Sequence, residues 1–328
     1  MTDEQKKYWK ERAEEWRKQR LASEKEAAAQ RNATYLYHMD KIDEQIDTWL
    51  AKYASKRGMT MAEARQAVKT TDIHKYEEEA ARLSARGAAM RKEGQKVTYA
   101  KFSDEANERM ALYNLTMKIN RLEYLKSLYG LQLVDMTQEV QNSMGEELDN
   151  WARECQRRQA GILGEYTRPD GREAETIADA DFHGARWSER LWQEQDRLKA
   201  ALDVGLSQIL LRGGSSRDVE KAIKKMLESE GEKSKYVIHR LAVTESSRIY
   251  TEVQRNSYNS TGYKSYVFLN LGPHPCDVCK TMDGEVYKVK DMQPGENAPP
   301  MHPLCRCDTA PAMTDEDFRR FINGQDSE

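Results

Sequence analysis

The sequence has no run of about 18 apolar residues, the length a helix needs to cross a bilayer, so no membrane span is expected. It opens on Met1-Thr2-Asp3-Glu4-Gln5-Lys6-Lys7, charged from the start and without the apolar stretch of a secretory leader. Catalytic signatures are missing as well. There is no His-Glu-x2-His of a zinc protease and no Gly-x-Ser-x-Gly of a hydrolase. The pair Gly213-Gly214 follows a helical pattern and lacks the Gly-x4-Gly-Lys-Ser/Thr spacing of a phosphate loop. No segment recurs at the fixed period of a solenoid. Cysteine is scarce, 5 in 328 residues. The count is odd and four lie together near the end, which argues against a disulfide framework and for thiols kept reduced in a cytoplasm.

What the sequence does contain is charge. Charged residues make up 33% and hydrophobic ones 38%. That balance suits long solvated helices with narrow apolar stripes better than one thick core. The length allows about two domains. A net charge of −3 does not mark a nucleic-acid binder, although a local basic face is still compatible with it.

Residues 3–31 are dense in Glu, Lys, Arg, Gln and Ala, all good helix formers, with Tyr8, Trp9 and Trp16 as a sparse aromatic edge. Leu36, Met39, Ile42, Ile46, Trp49, Leu50 and Tyr53 then recur at spacings of three and four, one face of a helix. Gly58 reads as its C-terminal glycine, and Thr60 with Glu63 as the capping box of the next helix. Residues 73–83 continue the amphipathic pattern, and 86–95 read as a break. A further stripe covers 102–129, capped by Ser103 and interrupted by Gly130, and another helix spans 133–158. Cys155, with no second ligand nearby, reads as a small core residue. Residues 161–181 form a glycine-containing loop and the boundary between two regions. Ser188 is expected to cap a helix to Arg212, Ser215 or Ser216 the next, and residues 238–256 a third. Glu245 falls on the apolar face of that last helix, so its carboxylate needs a partner, for which Arg248 and Arg240 are near in sequence. After Gly262 the period becomes two. Residues 263–271 and 285–289 read as strands, with Asp283-Gly284 as the turn signal before the second. A short helix is expected around 318–322.

Chemistry concentrates in Cys276–Cys307. Cys276-x2-Cys279 and His302-x2-Cys305 each place two soft ligands on a tight turn, and Cys307 is a fifth candidate. Zn²⁺ takes four N or S ligands in a tetrahedron, and two pairs from separate turns are a common way to supply them. The first arrangement is Cys276, Cys279, His302 and Cys305; the second replaces His302 with Cys307. Either set closes the coordination sphere, so the zinc is expected to be structural, its binding energy serving as folding energy. Lys280 and Arg306 stand where they can offset thiolate charge. Unligated core cysteines and a redox dithiol are the competing readings, the second without the thioredoxin-like βαβ unit that would surround the pair. A Cys305–His302 nucleophile and base lacks an orienting third group. Arg153, Arg157, Arg158 and Arg168 form one basic cluster, and Arg217, Lys221, Lys224 and Lys225 another. Of these, Arg157, Arg158, Lys221, Lys224 and Lys225 are the candidate nucleic-acid contacts, with interleaved acids pointing instead to solvated helix faces.

The run Cys276-x2-Cys279, Met282-Asp283-Gly284, then Pro299-Pro300-Met301-His302-Pro303-Leu304-Cys305-Arg306-Cys307 resembles the phage minor head proteins of the Mu F-like head morphogenesis family. Trp187-Ser188-Glu189-Arg190-Leu191-Trp192 is similar to a run of that family. Val243-Thr244-Glu245 stands where it commonly has Arg-Thr-Glu. The likeness covers about residues 180–312. It implies a non-enzymatic virion protein, assembled in the host cytoplasm and lodged inside the head near the portal. It also implies that the portal protein and capsid interior are partners in procapsid assembly, with a role in genome packaging or delivery and phage DNA as a candidate partner. No small-molecule substrate is implied. Some relatives carry a toxin or transferase domain after the cysteines, which is not expected in a sequence ending at Glu328. The expected architecture is mainly α with a small C-terminal β-hairpin and zinc-knuckle module. It comprises an elongated helical region (1–165), a head-morphogenesis-like domain (166–312) ending in the zinc module (263–310), and a polar tail (313–328). The alternatives are a DNA-binding virion protein with a structural zinc, then a zinc-dependent nuclease or thiol oxidoreductase.

Overall fold

The computed structural model describes residues 1–50, 121–164, 171–212, 215–272 and 276–325. The expectations for Gly58, Thr60 and Glu63, residues 73–83 and 86–95, Ser103, Arg168 and Gly213-Gly214 lie outside these residues.

The described residues are mainly α-helical, with one small sheet. Their helices are α1 (Asp3–Trp49), α2 (Arg121–Leu163), α3 (Gly171–Ala178), α4 (Trp187–Arg212), α5 (Ser216–Ser260), α6 (Asp277–Met282) and α7 (Asp315–Gln325). The strands are β1 (Ser265–Leu269), β2 (Val286–Lys288) and β3 (Asp308–Pro311). They pair antiparallel in the order β2-β1-β3, Tyr266 opposite Tyr287 and Val267 opposite Ala310. No described helix is long and apolar enough to cross a membrane.

The long helices are longer than the sequence pattern predicts. The segment expected at 3–31 and the part of the 36–53 segment up to Trp49 share one helix, α1, of 47 residues. Those expected at 215–227 and 238–256 share α5, of 45 residues. Gly130 does not interrupt α2. A glycine in a helix costs about 1 kcal/mol against alanine. Its neighbours Tyr129, Leu131, Leu133 and Val134 are buried, and each such side chain contributes about 1.5–3 kcal/mol. Proline, the residue that does break helices, occurs only once before Pro273, at Pro169. Ion pairs one turn apart support the polar face of α1, among them Arg17–Glu14 at 2.6 Å and Lys41–Glu44 at 2.9 Å. Leu36 is exposed, and Tyr35 takes its place inside. The α4 helix opens at Trp187, one residue before the expected Ser188 cap.

Two compact units can be distinguished. The first draws on Met1–Ala28, Glu146–Trp187 and His239–Glu328; the second on Ala29–Gly145 and Ser188–Ile238. The described part of the second is helical and buries Ile42, Ile46, Tyr129, Leu133, Trp192 and Leu202. Trp192 Nε1 donates to Gln141 Oε1 at 2.6 Å, so its indole is satisfied inside. A Cβ at Gly205 would run into Met226 Sδ, so this glycine lets α4 and α5 approach closely.

The first unit contains the sheet. Four residues of β1, Tyr266 to Leu269, are almost wholly buried, and together contribute several kcal/mol. Successive side chains of a strand leave on opposite faces. Val267 and Leu269 pack with Trp9, Ala13, Ile162 and Ala310. Tyr266 packs with Tyr258, Val289 and Met292, and Phe268 with three cysteines. Beside the sheet an aromatic ladder runs through the unit. Trp16 stacks on Trp151 at 5.2 Å between centroids, with the Arg158 guanidinium 4.5 Å from the Trp16 ring and the Arg20 guanidinium 5.5 Å from the Trp151 ring. The expected aromatic edge of α1 is therefore internal packing. Cys155 is buried here, and burial pushes its thiol well up, as a core cysteine requires.

Candidate metal centre

Cys276 closes the N-terminal end of α6, its Sγ accepting from Cys279 N–H at 3.3 Å. The expected turn at Cys276-x2-Cys279 is thus one turn of helix, which puts both thiols on the same side. After α6 the chain reverses at Gly284 (φ +88°), where a side chain would be strained. Gly284 N–H donates to Phe268 O at 2.8 Å and Phe268 N–H to Glu285 O at 3.0 Å, so the reversal is locked onto β1. Asp283 fixes it further. One carboxylate oxygen accepts from Asn270 N–H at 3.0 Å, and the other sits 2.8 Å from Lys10 and 3.0 Å from Lys6. Burial pulls the Asp283 carboxyl up, but Lys10, the Asn270 N–H and Lys6 outweigh it and hold it below the usual range.

The second ligand turn arrives with Leu304 in the left-handed region (φ +64°). Its N–H donates to Thr244 Oγ1 of α5 at 3.2 Å. The triplet Val243-Thr244-Glu245 therefore ties three elements together. Val243 O accepts from Arg20 at 3.2 Å, Thr244 holds the ligand turn, and Glu245 binds Arg248 at 2.7 Å. Arg248 in turn donates to Ile177 O and Ala178 O, both at 2.9 Å, satisfying the last carbonyls of α3. Of the two arginines expected near Glu245, Arg248 makes the pair, at 0% and 2% side-chain exposure.

Cys279, Cys305 and Cys307 are buried, and their sulfurs lie within 4.8 Å of one another. A second group at the same spacing is Cys276, Cys279 and His302, so Cys279 is common to both. All five cysteines are free. The Cys279 and Cys305 sulfurs are 3.9 Å apart. A disulfide needs about 2.05 Å. A tetrahedron with Zn–S bonds of about 2.3 Å has edges of about 3.8 Å, so the spacing suits two ligands of one ion. The residues present can hold a metal of the zinc type.

Crowding splits the acidities of the thiols. Hydrogen bonds from Cys279 and Cys307 drive Cys305 down, while Cys279 is driven up by its contacts with Cys305 and Cys307, then by burial. Cys307 is pushed up to about 12, the crowding against Cys305 and burial outweighing its bond with Cys279. Thiols crowded this closely give up protons when a cation binds between them. Burial opposes ionisation at Cys276, but the backbone and thiol of Cys279 and the nearby His302 lower it overall. His302 is exposed, with Nδ1 2.8 Å from Pro303 O.

Other sequence-level candidates lie elsewhere. Lys280 pairs with Asp277 at 3.0 Å and Arg306 with Glu24, so the two cations expected to offset thiolate charge are engaged by carboxylates. Arg158 is not an open nucleic-acid contact. It stacks inside the aromatic ladder, bonds Tyr250 Oη and lies 4.0 Å from Asp308. Arg157 is exposed, as are Lys221, Lys224 and Lys225. Lys224 pairs with Glu220 at 3.3 Å and has Asp43 and Asp47 nearby, which hold its ammonium above the usual range. Sequence reasoning missed Thr244, Asp308 and β3. Asp308 is buried directly after Cys307, accepting from Gln254 at 2.8 Å and from Thr309 N–H at 2.7 Å. Its only sequence signal is adjacency to Cys307.

The fold and cluster define a class: a helical protein closed by a small antiparallel sheet that carries a compact set of soft metal ligands. Residues 200–310 match the family described as phage Mu protein F like protein. The match contains Glu245 and every candidate ligand of the cysteine cluster. No curated protein and no solved structure matches the chain.

Proposed function

We propose that this protein is a non-enzymatic phage head-assembly factor of the minor head class, held in shape by a structural zinc ion. The observation that carries the reading is the Mu F-like stretch, which runs from within α4 through the cysteine cluster to β3. Head assembly brings such a protein to the portal and the capsid interior. Its long helices, with their polar outer faces, are the surfaces that meet those partners. Pull-down of the portal protein from the same phage, and recovery of the chain in procapsids, test this. Failure of both refutes it.

For the zinc, the buried trio Cys279, Cys305 and Cys307 favours the all-thiolate arrangement. Cys276 supplies the fourth ligand, and exposed His302, within 4.8 Å of Cys276 and Cys279, is its rival for that position. The ion closes the α6 turn against the loop before β3 and adds folding free energy to a sheet too small to stand alone. Zinc content of single Cys→Ser variants and of His302→Ala decides the set: His302→Ala keeps the ion and each Cys→Ser loses it. DNA binding is the weaker reading, because Arg158 is used internally and Lys224 is shared with acids. Binding that falls steeply with salt and needs Arg157 and Lys221 would restore it.

A further inference from the structure

We propose that His38, Asp135 and Glu139 form a second metal site, for a divalent transition-metal ion, in the helical second unit. None of the three belongs to the cysteine cluster or to the Mu F-like stretch. Asp135 and Glu139 are four residues apart on α2, so both carboxylates leave the same helix face. His38, on α1, faces them. One ligand atom from each lies within 4.8 Å of the other two. Helical bundles commonly build metal sites in this way, from carboxylates and imidazoles on facing helices.

The geometry meets the tests for such a site. An ion about 2.1 Å from each ligand atom sets those atoms about 3.0–3.4 Å apart. His38 Nε2 and Glu139 Oε2 are 3.2 Å apart, within that range, and the Asp135 ligand atom lies within 4.8 Å of both. The imidazole is held from behind, as ligating histidines generally are, since the Gln132 amide bonds Nδ1. The Gln132 amide nitrogen faces Nδ1; with the amide turned over, its oxygen accepts from Nδ1–H and the Nε2 lone pair points to the cation. His38 is fully buried, whereas the Glu139 side chain is 36% exposed, which gives the ion a way in from solvent. The imidazole selects for the zinc, cobalt and nickel group over magnesium or calcium.

The test is cobalt titration of the metal-stripped full chain. Co²⁺ in the cysteine cluster shows an intense sulfur-to-metal charge-transfer band, and Co²⁺ on imidazole and carboxylates shows weak visible bands alone. The wild-type chain is expected to take up an ion of the second kind. Glu139→Gln, at a partly exposed position, and His38→Gln should weaken it by at least about a hundredfold, and Gln132→Ala by about tenfold, each leaving the thiolate band unchanged. Circular dichroism checks that the variants remain folded. Absence of any non-thiolate cobalt in the wild type reduces the contact to an ion pair and overturns the proposal, as does a non-thiolate ion that binds both ligand variants at wild-type affinity. Loss of the thiolate band alone would count against the zinc reading above and leave this one standing.

Discussion

Removing Arg248 should be among the most damaging single changes in the first unit. Its guanidinium is 2% exposed and makes three bonds, at 2.7 Å to Glu245 and at 2.9 Å to the carbonyls of Ile177 and Ala178. Arg248→Met fills similar space but removes the cation bound to the buried Glu245 carboxylate and one donor to each of two helix-terminal carbonyls. Breaking a buried pair from one side costs about 3–5 kcal/mol. For a folding unit of 150–250 residues this lowers Tm by about 6–20 °C. Glu245→Leu should cost a similar amount, since it strands the guanidinium. The double variant removes both charges, and its loss should fall short of the summed single losses by about 2–3 kcal/mol. Urea unfolding of the four proteins, followed by the fluorescence of the buried tryptophans, measures the cycle. Strict additivity, or single losses below about 1 kcal/mol, would refute the assignment of Glu245 as the holder of Arg248.

Four further outcomes follow from the geometry. Asp283→Asn should destabilise at pH 7. The wild-type carboxyl is depressed below its unfolded value of 3.8 by Lys10, Asn270 and Lys6, so its contribution is present above that value and lost as pH falls through the folded one. The difference between the two proteins should vanish in strong acid, and an equal gap at pH 7 and pH 2 would contradict this. Gly284→Ala should cost about 1–2 kcal/mol from left-handed strain alone, read from the shift in urea midpoint. Thr244→Val, which is nearly isosteric, removes the acceptor for Leu304 N–H and should cost about 1–2 kcal/mol; unchanged stability would show that the ligand turn stands without it. Finally, a strong chelator should release about one zinc per chain and expose Cys305 and Cys307 to alkylation. Fast alkylation of both before chelation would exclude a closed site.

The sequence showed the chemistry more plainly than the architecture. Two ligand pairs near Asp283-Gly284 pointed to a metal centre because soft ligands at short spacing have few other uses. The period-2 run before them revealed β1. The helices were legible as helices but not in extent: the stripes around Trp16 and Ile42 looked like two elements. The buried positions of α1 pass through the polar Arg20, Glu24 and Arg31, which interrupt the apolar stripe and mimic a break. Gly130 misled for a related reason, since its cost of about 1 kcal/mol is small against the burial around it. Arg158 was misread because a basic cluster in sequence says nothing of burial; Trp16 and Tyr250, which enclose it, lie 142 and 92 residues away along the chain. Asp308 and β3 were hidden by brevity, a strand of 4 residues that holds Pro311 and acidic Asp308.

The alternation of β1 explains why the cysteine cluster and the start of α1 belong to one folding problem. Val267 and Leu269 need Trp9 and Ala13 on their face, and Phe268 needs Cys279, Cys305 and Cys307 on the other. A three-stranded sheet with a central strand buried on both sides cannot leave either face wet without losing several kcal/mol. The reversal at Gly284 is pinned from both directions, by Phe268 through backbone bonds and by Lys6 and Lys10 through Asp283. A metal ion drawing the cysteines together, as proposed, would therefore also fix the edge that α1 grips. On this account the ion's role is to define the shape of the first unit, and a partner that recognises that shape, whether portal or capsid, should bind the metal-loaded chain in preference to the stripped one.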